Sequence, residues 1–240
     1  WSTCAGVNLT IGHAHFATIK AAGMLSSDGR CKVLEKSADG YGRAEAVATF
    51  MLKHHVRLDT QSSDNIGYSA LFHVDASAAN QDGRSSSLTA PNGLAQQIVI
   101  TTAHNKAQTS WIAYPDVSMG GMSMHGTGTT LGDPIELNSL ISALSRQQKH
   151  LDMCVSPLVL AASKSHAGHS EAAAGAVALL QVDEEFASRR IAMLNYLRIL
   201  SPYLVTELRG HRTKFEIFIP RNTSGCGCQH ASCLLYTSDA

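Results

Sequence analysis

The segment His125-Gly126-Thr127-Gly128-Thr129-Thr130-Leu131-Gly132-Asp133-Pro134-Ile135-Glu136 sets a histidine in a Gly/Thr loop immediately before a helix start. Asp133 suits the N-cap and Pro134 the first helical position, and Glu136, three residues after the cap, can reach back to its N–H as in a capping box. Leu137, Leu140, Ile141 and Leu144 follow at helical spacing, so the spacing predicts an amphipathic helix with the histidine loop at its head. A second segment has the same character: Lys164-Ser165-His166-Ala167-Gly168-His169-Ser170-Glu171-Ala172-Ala173-Ala174-Gly175. Eight of the eighteen residues from Ala161 to Ala178 are Ala, and Ala172 to Leu180 has no polar side chain. That composition predicts a helix buried on all sides, with its N-terminus pointing at His169. Such a terminus favours a neutral imidazole and binds developing oxyanions. Taken singly these residues say little. Glu136 alone is a cap, Lys164 alone a surface lysine, and the Thr127 and Thr129 hydroxyls are loop hydrogen-bonders. A lone Gly-Thr-Gly-Thr loop is weak evidence for a phosphate cradle. The chain has 12 His, so His13, His15, His54, His55, His73, His104, His150, His211 and His230 are read as bystanders.

Outside these segments the 240 residues carry 19 Lys+Arg against 19 Asp+Glu, and only 16% of residues are charged. With no net charge there is no field to hold a nucleic-acid backbone or an anionic membrane. No run approaches the roughly 18 to 20 apolar residues of a membrane span. Strands alternating with helices indicate an α/β chain. A short helix is predicted within Ile11 to Leu25, strands over Val47 to Leu52 and Tyr68 to Val74, and a boundary in the polar segment Asp59 to Asn65. A long polar loop, Asp75 to Gly93, precedes a helix running to about Lys106 with Leu94, Ile98 and Thr101 on one side. The six Cys (4, 31, 154, 226, 228 and 233) are not spaced as a disulfide framework, which points to a reducing compartment, cytoplasm or plastid. Cys226-Gly-Cys228-Gln-His230-Ala-Ser-Cys233 offers soft zinc ligands, but its spacings are not paired knuckles, so no metal site is expected. Cys233 to Ala240 reads as translated sequencing adapter, without fold information.

Together the two histidine segments resemble the ketosynthase (β-ketoacyl synthase) domain of type I polyketide synthases, among the thiolase-fold condensing enzymes. That family carries a His-Gly-Thr-Gly-Thr-x-Leu-Gly-Asp-Pro-Ile-Glu run and a Lys-Ser-x-x-Gly-His-x-Glu-Ala-Ala-Ala-Gly run in this order. Ala22-Gly23-Met24-Leu25-Ser26, Asp28-Gly29-Arg30-Cys31-Lys32, Ala38-Asp39-Gly40-Tyr41, Asn80-Gln81-Asp82-Gly83-Arg84-Ser85-Ser86 and Leu88-Thr89-Ala90-Pro91-Asn92-Gly93 extend the match over roughly residues 5 to 205. The resemblance implies a layered αβαβα thiolase-like fold and a decarboxylative Claisen condensation. An acyl chain passes from a carrier-protein thioester to a Cys. Malonyl-carrier protein then loses CO₂, and the carbanion attacks the acyl-Cys. By the same resemblance His125 and His169 are the catalytic histidines, and Lys164 and Glu136 interact to orient the site. Thr127 and Thr129 then contact the pantetheine or malonyl portion. No cofactor is implied in the domain itself, since phosphopantetheine belongs to the acyl carrier protein, the expected partner. A homodimer is expected of the complete domain.

Where the family has its nucleophilic Cys, in an Ala-Cys-Ser-Ser-Ser-Leu type motif, this chain is expected to begin too late, so Cys4 is not the nucleophile. The chain then reads as an incomplete thiolase-like fold. Residues 1–60 are the end of the N-terminal half, 66–182 the C-terminal half, 183–225 a partly degraded extension and 226–240 a scar. On this reading the fragment alone does not condense acyl chains, and it exposes apolar surface that the absent half would cover. His166 stands where the family usually has Asn, and Ser123 where it has Glu. A thiolase of another kind, and a non-catalytic module of the chain-length-factor or carrier-docking type, are the alternatives.

Overall fold

The computed structural model describes residues 1–53, 72–85, 90–111, 118–147, 158–210, 217–220, 224–225 and 231–235. In chain order the elements are β1 (Ser2–Asn8), α1 (His13–Ala21), β2 (Ala46–Leu52), α2 (Gly93–Trp111), β3 (Ser118–Ser123), α3 (Gly132–Gln147), β4 (Leu158–Ala161) and α4 (Lys164–Ala167). A 3₁₀ turn (Glu171–Ala173), α5 (Ala174–Ser188), β5 (Arg190–Ile191), α6 (Pro202–Gly210), β6 (Ile217–Phe218), β7 (Ser224–Gly225) and β8 (Ala231–Leu235) complete it. The α/β alternation expected from the sequence is present. β1 and β2 pair antiparallel from Ser2↔Leu52 to Asn8↔Ala46, while β6-β4-β3-β8 form a parallel sheet.

The core gathers where α3 crosses over between β3 and β4. Leu137, Leu140 and Ile141 of α3 are fully buried against Met122 of β3 and Leu160 of β4, with Ile100 of α2 and Leu204 of α6 in the same cluster. The predicted apolar stripe of α3 is therefore its core face. Parallel strands buried on both faces need such apolar runs, and their crossover helix supplies the cover. The topology also positions the two histidine segments. β3 and β4 are adjacent and parallel, so the loop after Ser123 and the loop after Ala161 emerge side by side at the carboxyl ends of the sheet, where open α/β folds place their ligands.

Several local expectations need correction. α2 is present, capped by Asn92 Oδ1, which accepts from the N–H groups of Leu94 and Ala95. It nevertheless turns Leu94 and Ile98 to solvent and buries Gln96, Ile100 and His104 instead, because α3 lies on that side, with Ser139 Oγ donating to Gly93 O. The predicted strand Tyr68 to Val74 has no strand in Phe72–Val74, and its remainder and the boundary at Asp59 to Asn65 lie outside the described residues. α5 is not buried on all sides: Ala174 and Ala178 are buried, but Leu180 is 45% exposed. Ala231–Leu235, read as a segment without structure, is placed beside β3 as an edge strand. The Cys226 to Cys233 set, from which no metal site is expected, lies outside the described side chains. Apolar surface is left exposed on the β1–β2 side, at Trp1, Ile11, Val47 and Met51. Among the described residues no helix is long and apolar enough to cross a membrane.

The start of α3 also departs from the expected cap. Thr129 Oγ1 accepts from the N–H of Gly132, the first helical residue, so the threonine does the work assigned to Asp133. Asp133 is fully buried and spans two loops: Oδ2 accepts from Leu34 N at 2.8 Å and Oδ1 from Gly128 N at 3.1 Å. Asp133→Asn presents an NH₂ to one of these donors, and we expect a loss of about 1–3 kcal/mol in chemical denaturation, the cost of a buried unsatisfied group. A change below about 0.5 kcal/mol would mean that Asp133 does not tie the loops together.

Candidate active site

His125 and His169 come together from the two loops, with ring centroids 5.4 Å apart and planes at 86°. The sequence separates them by 44 positions; the parallel pairing of β3 and β4 brings them into contact. The first loop is held by α3. Glu136 Oε1 accepts from His125 N and Oε2 from Gly126 N, so the carboxylate grips the histidine loop instead of forming a capping box. Gly128 (φ +77°) is required at its bend, where a Cβ would lie 2.6 Å from Lys32 N. Lys164 Nζ donates to the carbonyl oxygen of His125 at 2.7 Å and lies 3.4 Å from its Nδ1. The peptide of His125 is thus gripped at its N–H by Glu136 and at its C=O by Lys164. The expected Lys164 to Glu136 interaction takes this form, a shared hold on His125, together with an electrostatic pull by Lys164 on the carboxylate.

The second loop is held by the segment before β2. His169 N donates to Gly42 O at 2.7 Å, and Ala44 N donates to His169 O at 2.9 Å. Gly168 (φ +75°) allows this approach, since a Cβ there would meet Ala44 Cβ at 3.0 Å. The Tyr41 ring packs edge-on against His169 at 4.9 Å. The predicted N-terminus does point at His169, in a specific way: the N–H of Glu171 donates to His169 Nδ1 at 3.0 Å. An accepting Nδ1 leaves the proton of a neutral imidazole on Nε2. At His125 the Lys164 ammonium, which can only donate, faces Nδ1 and favours the same tautomer.

Burial holds His169 down to about 4, with the Lys164 charge adding to the effect. Burial likewise holds His125 well below the ordinary imidazole range, helped by Lys164 and His169. Both rings are therefore neutral near pH 7. Burial pushes the Glu136 carboxyl up to about 7 against its two backbone donors and Lys164, and Asp133 up to about 6. The site so built offers two neutral, largely buried imidazoles from separate loops, an arrangement able to donate to charge developing on one oxygen.

Thr127 and Thr129 sit beside the histidine loop, but their hydroxyls are 3.2 Å apart and bonded to each other. Of the cysteines whose side chains are described, Cys4 is exposed on β1 and Cys31 is buried. Burial raises the Cys31 thiol and its Sγ lies against Gly42, the wrong state for a nucleophile. Sequence reasoning passed over three residues at this site. Arg43 Nε donates to Glu171 Oε1 at 2.9 Å, and His15 Nε2 lies 3.5 Å from Glu171 Oε2. Arg43 and Glu171 are 128 positions apart in a chain read by local pattern, so no spacing signal joins them. His166, in place of the usual Asn, has Nδ1 3.0 Å from Asn195 Nδ2.

The chain matches the beta-ketoacyl synthase C-terminal domain over residues 71–191, just over half its length, and the N-terminal domain of the same synthases over residues 3–57. It is similar to a phenolphthiocerol/phthiocerol polyketide synthase of Mycobacterium tuberculosis, with 41% identity over 73% of this chain and 7% of that protein. It is similar also to an erythronolide synthase of Saccharopolyspora erythraea, with 38% identity over 73% of this chain and 5% of that one. Among solved structures, an oxazolomycin ketosynthase domain from Streptomyces albus superposes with a TM-score of 0.77 at 29% identity, over 93% of this chain and 35% of that one. The ketosynthase from module 6 of the Bacillus subtilis bacillaene synthase shares the fold, with a TM-score of 0.77 at 23% identity over 95% of this chain and 37% of that one. The chain thus spans about a third of these ketosynthase structures and less than a tenth of these two curated synthases. These relatives are bacterial and lend no support to a plastid. With matches to both domains and the fold of solved ketosynthases, the chain belongs to the beta-ketoacyl synthase family.

Proposed function

We propose that this chain supplies the histidine half of a polyketide-type ketosynthase site, acting on malonyl thioesters presented by an acyl carrier protein. The observation that carries the reading is the facing pair of neutral imidazoles, His125 and His169, each with Nδ1 occupied by a donor. In decarboxylation the bond between the malonyl carboxylate and the α-carbon breaks, and its electron pair moves toward the α-carbon and the thioester oxygen. The two Nε2–H groups would donate to that oxygen, and being neutral and preorganised they need no solvent reorganisation to do so. Lys164 and Glu136 position His125 and do not touch substrate. Thr127 and Thr129 are assigned to the pantetheine or malonyl portion, which requires their mutual hydrogen bond to open. Condensation needs in addition an acyl-bearing thiol, and neither Cys4 nor Cys31 is suited to that role. Carrier-protein binding and pairing of two copies go with the reading as further expectations.

Two measurements test it. The 240-residue chain should release CO₂ from a carboxyl-labelled malonyl thioester above the buffer rate, and His125→Ala or His169→Ala should each lower the release by about 10²–10³-fold. A folded chain with no release above buffer would point instead to the carrier-docking module. Separately, the His169 ring should titrate in NMR with a midpoint near 4 and remain neutral at pH 6. A midpoint near the ordinary value of about 6.5 would remove the neutral-donor mechanism.

A further inference from the structure

Glu171 is one of the few residues other than glycine with a left-handed backbone, at φ +43°. A residue with a Cβ holds that conformation under strain and keeps it only where its surroundings over-determine it. The surroundings here are specific. Its carboxylate is paired at Oε1 with Arg43 Nε at 2.9 Å, and the Arg43 side chain is only 4% exposed, lying over the Phe16 ring of α1. Its other oxygen faces His15. The local chain also lacks the ordinary helix cap. Ser170 occupies the cap position before the 3₁₀ turn, yet its hydroxyl makes no cap bond and, among the described residues, is buried without a partner. The N–H of Glu171, the first residue of the turn, goes to an imidazole.

We propose that Arg43 and Glu171 are a positioning pair for His169: the half-buried ion pair holds Glu171 in its left-handed conformation and so aims its N–H at Nδ1, fixing the Nε2–H tautomer. The function of that tautomer rests on the proposed ketosynthase role, but the coupling itself does not. Arg43 lies beside both ends of the system, because its neighbours Gly42 and Ala44 hydrogen-bond the N–H and C=O of His169. One short segment therefore fixes the His169 peptide through its backbone and the ring through the Arg43 side chain. The other charged or titratable groups facing His169 are Lys164 of α4, His125 after β3, and Tyr41 and Cys31 of the segment before β2. Among these described groups, Arg43 and Glu171 are the ones that join the ring to α1.

The test is nitrogen NMR of the full chain with labelled histidine, His169 being identified by its loss in His169→Gln. The wild-type ring is expected to show an acceptor-type Nδ1 and a protonated Nε2. Arg43→Gln and Glu171→Gln should each give mixed tautomers, and Arg43→Lys, which keeps a cationic donor, should restore the single tautomer. The midpoints should also separate. Arg43→Gln removes a charge that opposes protonation and moves the midpoint up; Glu171→Gln removes one that favours it and moves the midpoint down. A loosened site would move both up toward the ordinary value. The proposal is overturned if either Gln variant, folded by near-ultraviolet circular dichroism, keeps the single Nε2–H tautomer, or if both midpoints rise. Because the readout is the ring itself, a chain that fails to release CO₂ leaves this test intact.

Discussion

Two carboxylates three residues apart at the head of α3 carry four buried backbone N–H groups, those of Leu34 and Gly128 on Asp133 and those of His125 and Gly126 on Glu136. Loops that emerge from the carboxyl ends of parallel strands leave such donors without ladder partners, and in a buried place each needs an acceptor. Asp133 and Glu136 are those acceptors. They anchor the histidine loop to the helix whose other face is the core, so the placement of His125 is coupled to the packing of Leu137, Leu140 and Ile141. The dry setting that makes the imidazoles neutral also raises both carboxyls, to about 6 and about 7. Burial is a common cause acting on acid and base in opposite directions.

Much of this was legible in the two motif runs, because helical spacing and the order of small residues are local properties. The α/β alternation rests on the strands and helices along the rest of the chain and the histidine pair on the family resemblance, while the amphipathic α3 follows from the runs. The cap did not. Asp133 and Glu136 match the capping-box pattern, yet both are drawn away by unpaired N–H groups in loops that the pattern does not include, and Thr129 replaces them. α5 was read as buried on all sides because its side chains are all small or apolar through Leu180; the described chain covers only one side of it. α2 shows the opposite failure, since the apolar pair Leu94 and Ile98 faces solvent and α3 packs on the face of Gln96, Ile100 and His104.

The link between Arg43 and Glu171 was illegible for a different reason. It joins a residue ahead of β2 to the start of a 3₁₀ turn, and its consequence, a left-handed Glu171 whose N–H caps an imidazole, leaves no mark in composition or period. The family resemblance brought the two histidines forward but said nothing of what holds the second. Their environments differ accordingly. His125 is held through its peptide by Glu136 and Lys164, whereas His169 is held through its peptide by Gly42 and Ala44 and through its ring by Glu171.

The central claim is that both imidazoles donate from Nε2 to a single thioester oxygen. Infrared difference spectroscopy of a carbonyl-labelled malonyl thioester analogue bound to the chain tests it without requiring turnover. The account predicts a carbonyl stretch at lower frequency than for the free thioester in water, moving part of the way back in His125→Ala and in His169→Ala. A bound carbonyl at the aqueous frequency, unchanged by either substitution, would contradict it.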